Sequence, residues 1–105
     1  MILERTRMEH YLIRYRPCRD TFLNDSTDEE QAVVGKHFEY LQSLITEGKL
    51  ILAGRTDDAE VGIAVIKADN DSHAEEILAS DPAVKSGIFL GSVKLFRLAL
   101  MKEKM

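Results

Sequence analysis

The chain has 105 residues, of which 45% are hydrophobic and 30% charged, proportions that suit one globular domain and leave little room for a second. With 18 acidic against 14 basic residues, a net charge of −4 and no long basic run, it carries no nucleic-acid footprint. Cys18 stands alone, so an intrachain disulfide and a Cys-x-x-Cys redox or zinc motif are excluded, and no run of about 18 apolar residues offers a membrane span.

The stretch Met1–Met8 is charged and lacks the apolar core of a secretory signal, which with the lone thiol directs the expectation to the cytoplasm. Met8 offers a second start. Residues 1–7 then read as a loose extension before a domain over 8–100, with a tail over 101–105. From Glu9 to Tyr15 the pattern alternates, with Tyr11, Ile13 and Tyr15 on one face and His10, Leu12 and Arg14 on the other. That period of two predicts a strand. Arg16–Ser26, with Pro17, Asn24 and Asp25, reads as a loop.

Thr27 and Glu30 form a capping box for a helix over Asp28–Glu47, and Asp28, Glu29 and Glu30 complement the positive end of its dipole. Val34, Phe38, Leu41, Leu44 and Ile45 make its apolar stripe, Lys36, Glu39, Ser43 and Thr46 lie opposite, and Gly48 ends it. Lys49–Gly54 and Val61–Ala68 are the next strands, joined by a polar turn short enough to make them a hairpin. Ser72 and Glu75 predict the start of a second helix, with Ala74, Ile77 and Leu78 as its apolar side. Asp81-Pro82 opens a turn or short helix to Gly87, and the last strand is expected over Ile88–Leu100.

The order β-α-β-β-α-β predicts a ferredoxin-like α+β fold, with a four-stranded antiparallel sheet covered by helices on one face. Both alternating sets of the later strands are apolar or small: Val61, Ile63 and Val65 against Gly62, Ala64 and Ile66, and Val93 and Leu95 against Phe96, Leu98 and Leu100. The helices cover one set. A second copy packed sheet to sheet is expected to cover the other, since monomers avoid large exposed apolar patches.

His37 falls about 40° from Leu41 on a wheel of roughly 100° per residue, inside the stripe. An inward imidazole reads either as a buried ring satisfied by one hydrogen bond or as a general acid or base. Asp81 before Pro82 is a common helix start, and the same carboxylate can orient a nearby imidazole. One oxygen can cap while the other pairs. His10 faces the sheet or frays at the strand start, and His73 reads as a surface residue. Arg14 and Arg55 are candidates for binding an anionic substrate group, though such residues are more often solvated charges. The histidines lack metal-ligand spacing, so no metal site is expected. No Gly-x-Gly-x-x-Gly, Walker or Gly-x-Ser-x-Gly motif occurs, and Gly87-x-x-x-Gly91 reads as a turn with a bulge.

Taken in order, His37-Phe38-x-Tyr40-Leu41, Leu44-x-x-x-Gly48-Lys49-Leu50-x-x-Ala53-Gly54, Gly62-Ile63-Ala64 and Asp81-Pro82-Ala83-Val84-Lys85-Ser86-Gly87 resemble the YciI-like, YCII-related proteins, from about Met8 to Phe96. That resemblance implies a dimeric α+β barrel, and His37 and Asp81 as a paired active site. One enzyme similar to these proteins is a dehydrochlorinase of a chlorinated hydroxyhydroquinone. Distant barrel relatives include muconolactone isomerases and small monooxygenases. Family members often have Pro after the Ala-Gly of the second strand, where this chain has Arg55.

The functional expectation is a cofactor-free lyase or isomerase acting on a small oxygenated compound, aromatic compounds included, with His37 moving the proton and Asp81 holding the imidazole. The alternatives are a non-catalytic module that binds a small molecule, and a dimerisation unit with a vestigial site.

Overall fold

The computed structural model describes residues 8–102. The expectations for residues 1–7 and for the end of the tail lie outside them. Alternation along Glu9–Pro17 makes β1, which places Tyr11, Ile13 and Tyr15 in the core at 3%, 1% and 6% exposure. β1 sits inside the sheet, whose order is β2-β3-β1-β4 with β2 over Leu50–Arg55, β3 over Gly62–Ala68 and β4 over Phe89–Leu95, all neighbours antiparallel. The register sets Ile13 between Ala64 and Val93, and Tyr15 between Gly62 and Gly91. This is the ferredoxin-like α+β arrangement.

Between β1 and β2 run a short helix, α1 (Phe22–Asp25), and the long α2 (Asp28–Thr46). The Thr27 capping box forms as expected: its side chain accepts from the Glu30 N–H, and the Glu30 carboxylate accepts from the Thr27 N–H. Gly48, at φ +79°, supplies the left-handed residue that ends the helix. After β3 come α3 (Asp71–Ala79) and the single-turn α4 (Pro82–Lys85), followed by Gly87 at φ +82°. One core joins β1 and β3 to Leu41 and Leu44 of α2 and to Ala74, Ile77 and Leu78 of α3. A smaller cluster of Phe22, Ala83 and Ile88 packs with Val33, Val34 and Phe89.

The structure corrects five of the expectations. β1 continues to Pro17, and the presumed loop holds α1. Phe38 and Ile45 of α2 are 61% and 57% exposed. The packed stripe runs through Val34, His37, Leu41 and Leu44, so each of these two residues falls roughly 100° past its inward neighbour. The α3 cap is Asn70, whose side chain accepts from the His73 N–H, so Ser72 lies inside the helix. β4 stops at Leu95: Phe96 N–H still reaches the His10 carbonyl, but β1 then runs out of partner residues. Finally, the uncovered sheet face is only partly apolar. Leu12, Ile63, Val65 and Leu90 share it with Arg14, Arg16, Lys67 and Lys94.

Because Ile13 is enclosed on every side at the sheet centre, Ile13→Ala is expected to cost about 2–5 kcal/mol. Urea unfolding checks this; a loss under about 1 kcal/mol would show that the centre of β1 collapses around the cavity.

Candidate functional site

Asp81 N-caps α4, and its side chain is fully buried. Oδ1 accepts the Ala83 N–H at 2.9 Å, which is the cap itself. Oδ2 lies 2.7 Å from His37 Nδ1 and accepts the Tyr15 hydroxyl at 3.0 Å. The carboxylate thus joins the corner before α4, the middle of α2 and the end of β1. Its net charge is met by three hydrogen bonds, the condition under which a buried anion is tolerated.

That geometry sets the histidine tautomer. Ala83 can only donate, and Tyr15 is a donor because burial first, then the charge of and hydrogen bond to Asp81, push its phenol far above the usual range. An ionised carboxylate accepts from every partner, so His37 Nδ1 carries the proton. Nε2 is left as the nitrogen that accepts or releases protons. The imidazole is braced by rings on two sides, Tyr15 with centroids 5.2 Å apart at 85° and Phe89 at 5.1 Å and 88°. Phe22 in turn meets Phe89 at 5.8 Å. The His37 side chain keeps 13% exposure, against none for Asp81.

Phe22 is held in place by a polar clasp. Arg19 makes a two-pronged contact with Glu30 at 2.9 and 2.8 Å and donates to Asp25 at 2.9 Å. Arg19, and then the Thr27 N–H, keep the Glu30 carboxyl down at about 2. Deeper in α2, burial and then the charge of Asp81 push the Tyr40 hydroxyl up to about 12; it donates to the Ile77 carbonyl.

The structure does not bring the two candidate arginines to this pair. Arg14 leaves β1 on the face opposite Tyr15. Arg55 donates to the carbonyls of Thr56 and Asp57 in its own turn. His10 lies on the uncovered face, and His73 folds back on Asp69. Two clefts of about 410 and 350 Å³ lie elsewhere, one beside Tyr11 and Asp71, the other along Leu52–Thr56. Neither cleft includes His37 or Asp81; the first is lined by Glu9, Asp69 and Asp71 together with Tyr11 and Arg97. Among the described residues no group of three or more His, Cys, Asp or Glu is placed to hold a metal, and no helix is long and apolar enough to cross a membrane.

Tyr15 is a site residue that the sequence does not single out, since alternation only puts it on one face of β1 with Tyr11 and Ile13. The signal was available, since a buried tyrosine needs a partner for its hydroxyl. β1 presents two on its covered face, and each finds an aspartate at a helix start: Tyr11 on Asp71 at 2.9 Å, Tyr15 on Asp81.

Residues 8–97 match the YCII-related domain. The chain belongs to that family. It is 38% identical to the uncharacterized protein YjpA of Bacillus subtilis (strain 168) over 68 residues, covering 65% of this chain and 80% of YjpA. Among solved structures it resembles the 5-chloro-2-hydroxyhydroquinone dehydrochlorinase TftG of Burkholderia phenoliruptrix AC1100, at TM-score 0.63 and 20% identity over 85% of this chain and 95% of that one. PA3566 of Pseudomonas aeruginosa is similar at TM-score 0.51 and 10% identity, over 90% of this chain and 98% of that one. At these identities the two structures share the fold with this YCII-related chain.

Long-range ¹H–¹⁵N correlation of the neutral imidazole is expected to show a protonated Nδ1 and a bare Nε2 at His37. The opposite tautomer would mean that Asp81 donates rather than accepts at this contact.

Proposed function

We propose that this YCII-related chain catalyses proton transfer on a small, oxygenated, ring-bearing compound, as a lyase or isomerase that uses no cofactor. The supporting observation is the oriented imidazole: Nδ1–H is tied to a fully buried carboxylate, which leaves Nε2 for the substrate. Nε2 takes a proton from an O–H or C–H bond. The electron pair left behind either expels a leaving group, completing an elimination, or is reprotonated at another atom, completing an isomerisation. The imidazolium hands its proton to product or water, so no oxidant or reductant is consumed. Asp81 stabilises that cation and holds the ring plane, and the edges of Tyr15 and Phe89 brace the imidazole. The substrate class draws support from TftG, which acts on 5-chloro-2-hydroxyhydroquinone and was crystallised with 2,5-dihydroxybenzoquinone.

Two copies would pack through the uncovered sheet face, the second element of this proposal. Ile63 and Leu90 there are 37% and 43% exposed, apolar surface that a second copy would take out of water. The stems of Arg14 and Arg16 can lie across the partner's apolar residues with their charged heads at the rim. A non-catalytic binding module is the second reading. It is favoured by the low exposure of His37 and by the absence of His37 and Asp81 from both described clefts.

Screening the chain against chlorinated and hydroxylated hydroquinones tests the catalytic reading. On a compound that turns over, His37→Ala is expected to lower kcat/KM by about 10²–10⁴-fold, mostly through kcat. Retained activity in that variant would sink the assignment, and a ligand that binds but returns unchanged after long incubation would favour the binding module. For the assembly, light scattering at tens of micromolar should give about twice the 11.9 kDa chain mass, and Ile63→Glu should shift it toward a single chain. A monomeric wild type would rule out the paired arrangement.

A further inference from the structure

The Tyr15 hydroxyl and His37 Nδ1 meet at one atom, Asp81 Oδ2, while Oδ1 is taken by the Ala83 N–H. A carboxylate oxygen has two lone pairs, so Oδ2 has no further site to offer. We propose that Tyr15 is a positioning residue of the site: by sharing Oδ2 with His37 it withdraws part of the carboxylate's charge from the imidazole and so sets how firmly Nε2 holds a proton. This deepens the proposed function, since it rests on Nε2 being the proton-transfer atom.

An anion beside an imidazole favours its cation, and a hydrogen bond from a neutral donor to that anion weakens the effect. Tyr15 donates to Asp81 without adding any charge. Removing its hydroxyl leaves Oδ2 to His37 alone, which favours the imidazolium and leaves less free base at a given pH. The groups facing the pair support a clean test. β1 contributes Tyr15, and α2 contributes Tyr40, whose hydroxyl is spent on the Ile77 carbonyl. Both phenols stay protonated, held there first by burial and then by the Asp81 charge. β4 and α1 contribute Phe89 and Phe22, which do not titrate, and α4 contributes Asp81 itself.

A purely structural Tyr15 would behave otherwise. It would satisfy a buried hydroxyl and fill space beside His37, and its loss would lower stability without moving the histidine's titration.

The test follows the His37 ring-proton shift against pH in the free protein, with no substrate present. Wild type is compared with Tyr15→Phe and with 3-fluorotyrosine placed at position 15, a stronger donor of nearly the same shape. In Tyr15→Phe the titration midpoint should rise by about half to one pH unit, and the Hδ1 resonance should move further downfield. The fluorinated ring should move the midpoint the other way. A midpoint that stays put in both, or moves the same way in both, overturns the proposal. If Tyr15→Phe fails to fold, the direction seen with the fluorinated ring decides alone. The outcome is separable from that of the catalytic reading. Loss of activity in His37→Ala with unmoved titrations would reject only the role of Tyr15, and moved titrations with full activity in His37→Ala would reject only the catalysis.

Discussion

The burial of Asp81 is the constraint on which the rest of the structure turns. A carboxylate with no exposed surface survives only where donors meet both oxygens, and here they come from three separate elements. The cap fixes where α4 begins. Tyr15 ties that corner to the end of β1, and His37 ties it to the middle of α2. A single polar atom therefore sets the relative placement of sheet, long helix and corner. Replacing the cluster by apolar residues of similar shape would often be neutral for stability. Its cost in desolvation is better understood through what it does to the imidazole than as a source of strength.

The aromatic surroundings follow from the same constraint. Phe89 starts β4 just after Gly87 has turned the chain back from α4, so the ring that braces the imidazole arrives from the same corner that carries the carboxylate. Phe22 closes the stack from the far side, on a segment held by Arg19 and Glu30 rather than by the main core. Glu30 serves twice, completing the α2 capping box and gripping Arg19. The start of α2 and the cover over the site are thus coupled through one carboxylate.

Much of this was legible from residue order. Alternation gave β1 its covered face, the Thr27–Glu30 box gave the start of α2, and Asp-Pro marked the α4 corner with its dual use of the two oxygens. What escaped had physical causes. The stripe of α2 was read one residue too wide, because Phe38 and Ile45 are apolar yet lie beyond the arc that the sheet reaches. Asn70 outcompeted Ser72 as a cap, since both residue types cap well and only the backbone path after β3 decides between them. The α1 turn depends on Arg19 contacts that spacing does not reveal. Tyr15 was hidden because its hydroxyl partner lies 66 residues away.

β1 carries its own internal comparison. Tyr11 and Tyr15 are two strand periods apart on the same face, each donating to an aspartate at the start of a helix. At Tyr11 the carboxylate belongs to Asp71, beside an open cleft, and no histidine joins it among the hydrogen bonds described. At Tyr15 the carboxylate is fully buried, rings stand around it, and an imidazole takes the remaining lone pair of Oδ2. The tyrosine–aspartate bond is therefore a building device of this sheet and needs no chemistry to account for it. The difference between the two ends is His37. It converts a structural contact into one where a proton on Nδ1 is locked, leaving a change of protonation to occur only at Nε2, the nitrogen turned away from the carboxylate.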